Sequence, residues 1–236
     1  MKEILKLTIA LTLISVISAT ILSLAKEKTE DPIKKASIKA KEIGLKKVLP
    51  LFKNSPMSEK KELMFTKNTK TDSLIIANSE KVQNKLIKII FYPARNIDGE
   101  LVGIAVEGTT ELGYGGQISI LAGFTPKAEV TSVVVTEHKE TPGLGTNVTA
   151  RKKEKTLKSI FYSDKKADTK KKLPPNKYLD QYEGKKVSEE RVFTVTKDGG
   201  EIEAISGATI SSRAVADAMT TVSQAVAIYI KQIQRK

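Results

Sequence analysis

Two short stretches of this chain combine residue types suited to chemistry. The first is Ser206-Gly207-Ala208-Thr209-Ile210-Ser211-Ser212. Gly207 and Ala208 let a ligand come close to the backbone. A helix opening here would offer free N–H groups and the positive end of its dipole to a phosphate. Several hydroxyls add donors. Ser and Thr are also ordinary helix caps, so the residues alone fit a plain helix start as well. The second stretch is Glu140-Thr141-Pro142-Gly143-Leu144-Gly145, directly after a predicted strand. Pro142 sets one backbone angle, and Gly143 and Gly145 permit tight geometry and close approach. Such a loop can present backbone amides to a flat polar ligand; equally, it can be only a turn. His138 stands just before it. A general base would need a partner that the sequence does not identify, so a structural histidine is the simpler expectation.

Composition narrows the chemistry further. The 236 residues contain no Cys and one His. Disulfide scaffolds, thiolate sites, a cysteine nucleophile and multi-His metal clusters are therefore excluded. No metal site and no catalytic acid, base or nucleophile is expected. The net charge is +13 from 40 Lys and Arg against 27 Asp and Glu. Only five of the basic residues are Arg (Arg95, Arg151, Arg191, Arg213 and Arg235). Bidentate reading of bases favours Arg, and aromatic residues are scattered, so no nucleic-acid partner is expected.

These stretches need elements to position them. Residues 7–25 form an uncharged run after a short tail, 1–6, that carries Lys2 and Lys6. At about 1.5 Å per residue such a helix spans roughly the hydrocarbon core of a bilayer. A cleaved signal peptide is the competing reading, since Ser23-Leu24-Ala25 resembles a small-x-small cleavage site. The run is longer than a usual signal core, which favours a retained anchor. Residues 26–35 are expected as a linker. One domain is expected over 36–236, opening with an amphipathic helix over 36–52 that ends near Pro50. Residues 54–71 read as loop. From Leu74 to His138, β-rich runs alternate with turns at Asp98-Gly99, Gly113-Tyr114-Gly115-Gly116 and 126–129. That rhythm predicts a mostly antiparallel sheet rather than a doubly wound one. Residues 151–186 hold 13 basic against five acidic residues and read as an exposed Lys-rich insertion. Residues 192–195 read as a strand and Asp198-Gly199-Gly200 as a turn. A helix from about Ser211 to Gln234 buries a stripe including Ala214, Val215, Ala218, Met219, Val222, Ala225, Val226 and Tyr229. The expected class is α+β: one membrane helix, then one domain with a mostly antiparallel sheet and packed helices.

Taken in order, the anchor, LKKVLP, FYPARN, GYGG, EHKETPGLG and SGATISS closely resemble the FMN-binding subunits of membrane ion-translocating electron-transport complexes. The resemblance is to the G-type subunit of Rnf complexes and, related to it, the C-type subunit of the sodium-pumping NADH:quinone reductase. It covers nearly the whole chain, least well over 151–186. In that family the threonine of the SGAT-x-[ST] motif carries FMN through a phosphoester bond. A flavin transferase attaches it, using FAD and magnesium. The resemblance therefore implies covalent FMN on Thr209, with Ser206, Gly207, Ala208, Ile210 and Ser211 completing the motif. It places Glu140, Thr141, Pro142, Gly143, Leu144 and Gly145 beside the flavin ring, and Tyr114 and Gly115 near it. Glu203 stands where the family usually has Asp.

The function so implied is an electron carrier within a larger complex that couples ferredoxin and NAD chemistry to sodium or proton transport. Its implied partners are the other subunits, a flavin transferase during maturation, and membrane lipid. The implied location is the bacterial cytoplasmic (inner) membrane, single-pass, with the domain on the extracytoplasmic side. The alternatives are the quinone-reductase counterpart, a free-standing flavinylated module, and a basic, non-redox, membrane-tethered adaptor.

Overall fold

The alternating runs between residues 87 and 138 form four neighbouring strands of one antiparallel sheet. The computed structural model describes residues 2–67, 74–77, 86–151 and 173–234. Its strands are β1 (Lys61–Lys67), β2 (Leu74–Ile76), β3 (Ile87–Arg95), β4 (Leu101–Gly113), β5 (Gly116–Phe124) and β6 (Val130–His138). Their order across the sheet is β2-β1-β3-β4-β5-β6, and every neighbouring pair is antiparallel. The helices are α1 (Lys2–Val48), a single turn α2 (Thr146–Thr149) and α3 (Thr209–Gln234). The α+β class with an antiparallel sheet is borne out.

Side chains alternate across the sheet, as a period of two requires. Ile89 and Phe91 of β3, Ile104 and Val106 of β4, and Ile118, Ile120 and Ala122 of β5 point to one face. There they meet the apolar side of α3, including Ala214, Val215, Ala218, Met219, Val222, Ala225 and Val226. Phe91 stacks on Tyr229 with ring centroids 4.5 Å apart. Gly108 lets β4 lie close under the helix, since a Cβ there would come within 2.4 Å of Val222 Cγ1. On the opposite face Tyr92, Ala94, Ala105 and Leu121 are covered by Leu45, Val48 and Leu49. The end of α1 and the residue after it thus close a second, smaller core.

The chain divides into two compact units, Met1–Glu42 and Ile43–Lys236. The first is the greater part of α1. It includes a helix long and apolar enough to cross a membrane. Four hydroxyls of its apolar run are satisfied within the helix: Thr8, Thr12, Ser15 and Thr20 each donate to the carbonyl four residues earlier. Residues 26–35, expected as a linker, lie inside α1 together with Pro32. Pro32 removes one backbone donor. The Lys and Glu residues around it favour helix, and Lys34 pairs with Glu30 at 2.6 Å.

Two other expectations change. β1 forms within the stretch read as loop over 54–71. Its Lys61, Glu62 and Lys67 alternate poorly with apolar residues, and Phe65 is its one fully buried side chain. Pairing to β3 supplies what its composition does not. Conversely, residues 192–195 do not form a strand; Val195 makes a single parallel bridge to Ile202. Most of the Lys-rich insertion, residues 152–172, lies outside the described residues. The flanks of that stretch are tied down. The buried guanidinium of Arg151 donates to the carbonyls of Val133 and Pro174 and to Asp180.

Candidate functional site

α3 begins at Thr209, two residues before the expected start, so Thr209 is its first residue. The bend ahead of it needs Gly207, whose φ of +75° lies in the left-handed region that side chains disfavour. Ala208 then accepts the first helical bond, from Ser212 N–H at 2.9 Å. The N–H groups of Thr209, Ile210 and Ser211 have no acceptor inside the helix, by helix geometry.

The helix start is held from several sides. Ser212 Oγ donates to the Ala208 carbonyl and accepts from Ile205 N–H. Tyr178 donates to the Ser212 carbonyl at 2.6 Å, and the Tyr182 hydroxyl lies 2.8 Å behind it. Burial pushes both tyrosines well above their ordinary range, so they stay neutral donors. Arg213, one turn into α3, grips Asp198 with two bonds of 2.7 and 2.6 Å. That hydrogen-bonded pairing lowers the Asp198 carboxyl below its usual value. Asp198 belongs to a short 3-10 turn, Thr196–Asp198. The same turn carries Lys197, whose Nζ donates to Thr209 Oγ1 at 3.1 Å.

The second motif meets the first through Glu140. This residue is only 4% exposed. Its Oε2 accepts the Ser211 hydroxyl and its Oε1 accepts Gly115 N–H at 3.1 Å. One carboxyl group therefore ties three segments together: the turn between β4 and β5, the loop after β6, and the first turn of α3. Gly145 passes directly over this contact. A Cβ there would lie 2.3 Å from Glu140 Oε2 and 2.8 Å from Ser211 Oγ. The rest of the loop is shaped internally. Gly143 N–H donates to Thr146 Oγ1, and Asn147 donates to the Gly143 carbonyl at 2.7 Å. His138 Nδ1 accepts Glu140 N–H at 3.2 Å, which gives this histidine a structural job at the strand end.

Together these segments border a cleft of about 560 Å³. Tyr114, Glu140, Thr141, Leu144, Gly145, Gly207, Ala208, Thr209, Ile210 and Ser211 of the expected set line it. Ser206, Pro142, Gly143 and Gly115 lie beside the lining rather than in it, Gly115 through its bond to Glu140. Lys197 also lines the cleft and is not among the expected residues. Its only sequence signal is the Asp198-Gly199-Gly200 turn next to it. Glu203 is outside the lining; its backbone is bridged by the side chain of Gln181.

The arrangement suits a flat, phosphate-bearing ligand. Thr209 and Lys197 place a hydroxyl and a cation 3.1 Å apart on the cleft lining. Tyr114, Leu144 and Ile210 expose large apolar surfaces around the same opening. The volume is in the range of ordinary cofactor sites. Among the described residues there is no group of acidic or histidine side chains that could hold a metal.

Comparison with known proteins agrees with this geometry. Residues 113–224 match the FMN-binding domain family, a span running from the Gly113 turn into α3. The part of the chain that carries the cleft is thus similar to FMN-binding domains. Over a longer stretch, the chain is similar to G-type subunits of ion-translocating oxidoreductase complexes, as the sequence motifs indicate. The protein of that kind from Methanosarcina acetivorans is 27% identical over 219 residues, 92% of each chain. That from Aliivibrio fischeri (strain MJ11) is 31% identical over 148 residues, 62% of this chain and 59% of its own. That from Photorhabdus laumondii is 29% identical over 160 residues, 67% of this chain and 63% of its own. The chain thus spans less than two thirds of these last two relatives.

Proposed function

We propose that this chain is a membrane-anchored flavoprotein subunit of an ion-translocating oxidoreductase complex, and that its FMN is carried on Thr209 as a phosphoester. The observation that carries this reading is the meeting of the two motifs in one cleft. Thr209 stands at its edge, on a helix start held by Glu140, Asp198 and Tyr178. Held FMN would supply reversible electron transfer. The chain's residues do the rest. Thr209 anchors the phosphate, and the first turn of α3 offers N–H groups to its charge. Leu144, Tyr114 and Ile210 offer apolar surface to the ring. Glu140 and Gly145 keep loop and helix at a fixed separation.

The proposed attachment balances simply. Thr209 Oγ attacks the flavin-side phosphorus of FAD. The new O–P bond replaces the pyrophosphate bond, AMP leaves, and the hydroxyl proton passes to solvent. A flavin transferase with magnesium would carry out this step. The same reading puts the helix over 7–25 in the cytoplasmic membrane, in contact with lipid, and the domain on the extracytoplasmic side. It makes the other subunits of a ferredoxin:NAD-type complex the electron donor and acceptor.

The test is direct. The full chain, co-expressed with a flavin transferase, is expected to fluoresce in a denaturing gel and to gain the mass of FMN less water. Thr209→Val should lose both signals. Retention of the flavin by Thr209→Val would overturn the covalent assignment.

A further inference from the structure

Among the described residues, Lys197 is the one cation on the cleft lining, and neither sequence motif includes it. Its Nζ lies 3.1 Å from Thr209 Oγ1. Among the described residues its one hydrogen bond goes to Thr209, while its charge adds to the field that lowers the Asp198 carboxyl after Arg213. The carboxylates that could compete for it are committed elsewhere. Asp198 is held by both forks of Arg213, and Glu140 by Ser211 and Gly115. An amine that could pair with its own neighbour is instead directed at a hydroxyl.

The backbone keeps it there. Lys197 and Asp198 are successive residues of one short 3-10 turn. Thr209 and Arg213 are four apart on α3 and so share a face. The two contacts, Lys197 to Thr209 and Asp198 to Arg213, run side by side between the same two elements. The turn itself is closed by Gly199 in the left-handed region, with φ of +83°. Asp198 N–H and Gly199 N–H donate to Val195 and Thr196 carbonyls. Gripping Arg213 therefore fixes the position from which Lys197 reaches Thr209.

We infer that Lys197 is a phosphate-positioning residue for flavin attachment: its ammonium receives the negative charge of the phosphoryl group as that group is joined to Thr209 Oγ, and pairs with the phosphodiester afterwards. The inference rests on the reading of Thr209 as the attachment residue. A phosphodiester keeps one negative charge near the bridging oxygen. A lysine already within hydrogen-bond distance of that oxygen meets it with little rearrangement. Charge-assisted bonds of this kind are stronger than neutral ones, and most useful where charge is transferred. Lys binds phosphate as a point charge, so Arg in its place can serve.

Initial rates of flavin attachment to the full chain in detergent, with FAD, magnesium and a purified flavin transferase, test this. Lys197 is exposed, so its substitution leaves the core intact. Lys197→Arg should stay within about threefold of wild type. Lys197→Gln should fall about tenfold or more, and Lys197→Glu further still. A rate graded by charge is a result that a merely structural side chain would not produce. Equal rates for Lys, Gln and Glu, all labelled on Thr209, overturn the assignment to Lys197 and leave the attachment reading standing. Lys197→Arg as slow as Lys197→Gln also overturns it. Failure of the wild type to take label, or label surviving in Thr209→Val, overturns the attachment reading and this inference with it.

Discussion

Glu140 and Gly145 illustrate how little freedom single residues have here. The Glu140 carboxyl reaches the turn before β5 and the first turn of α3 at once, and Gly145 leaves just enough room for it. Adding one methyl group must move either the loop or the helix start. Gly145→Ala is expected to cost about 1–3 kcal/mol through overpacking, a loss of about 2–4 °C in melting temperature for each kcal/mol. It should also slow flavin attachment, because Thr209 shares the displaced helix turn. Unchanged melting and attachment in this variant would show that the contact tolerates change. The participants of this contact are readable in sequence as members of two motifs. Their meeting is not, since Glu140 and Ser211 are 71 residues apart. Lys197 is hidden for a different reason: it is one of 40 basic residues, and only folding distinguishes it from the solvated ones.

Among the elements, the 3-10 turn at Thr196–Asp198 is attached to α3 by charge rather than by apolar burial. Asp198 has its pKa lowered by Arg213, and Glu201 nearby has its own lowered by Lys185 and then Arg191. A carboxyl group whose folded pKa lies below its unfolded value adds stability above the unfolded value, about 4. That contribution is lost as pH falls through the folded value. The melting temperature should therefore hold from pH 7 to about 5 and drop below about 4, with a smaller drop in Asp198→Asn. Thermal melts followed by circular dichroism would show this, and equal acid sensitivity of the two proteins would refute it. The element pattern is legible where burial is alternating or one-sided, as in β3 to β6 and α3. It is illegible for β1, whose polar composition is overruled by pairing, and across residues 26–35, where helix-favouring Lys and Glu outweigh Pro32.

Taken whole, the molecule joins an apolar helical segment to a basic domain. The amino side of the span carries Lys2 and Lys6, whereas lysines crowd the far side. Large domains cross membranes largely regardless of such charge. We therefore expect external protease on spheroplasts to digest the part following residue 42 and to spare the span. Full protection would place the domain in the cytoplasm and remove the proposed topology. The +13 charge says little about the cleft, since residues 151–186 supply about +8 of it and, among the described residues, Lys197 alone brings a cation into the lining.

By itself, the amino-acid sequence determined the chemistry available and the elements whose apolar periodicity is strong. It excluded thiol and multi-histidine sites, marked one apolar span, and set out strands β3 to β6 and the terminal helix. Hydrophobic spacing is a local property, so it survives in one dimension. The tertiary structure alone decided which polar groups share a site. It brought Glu140 to Ser211, Asp198 to Arg213 and Lys197 to Thr209. Such contacts depend on how α3 lies across the sheet, and no spacing along the chain encodes a distance between segments that are joined only by folding.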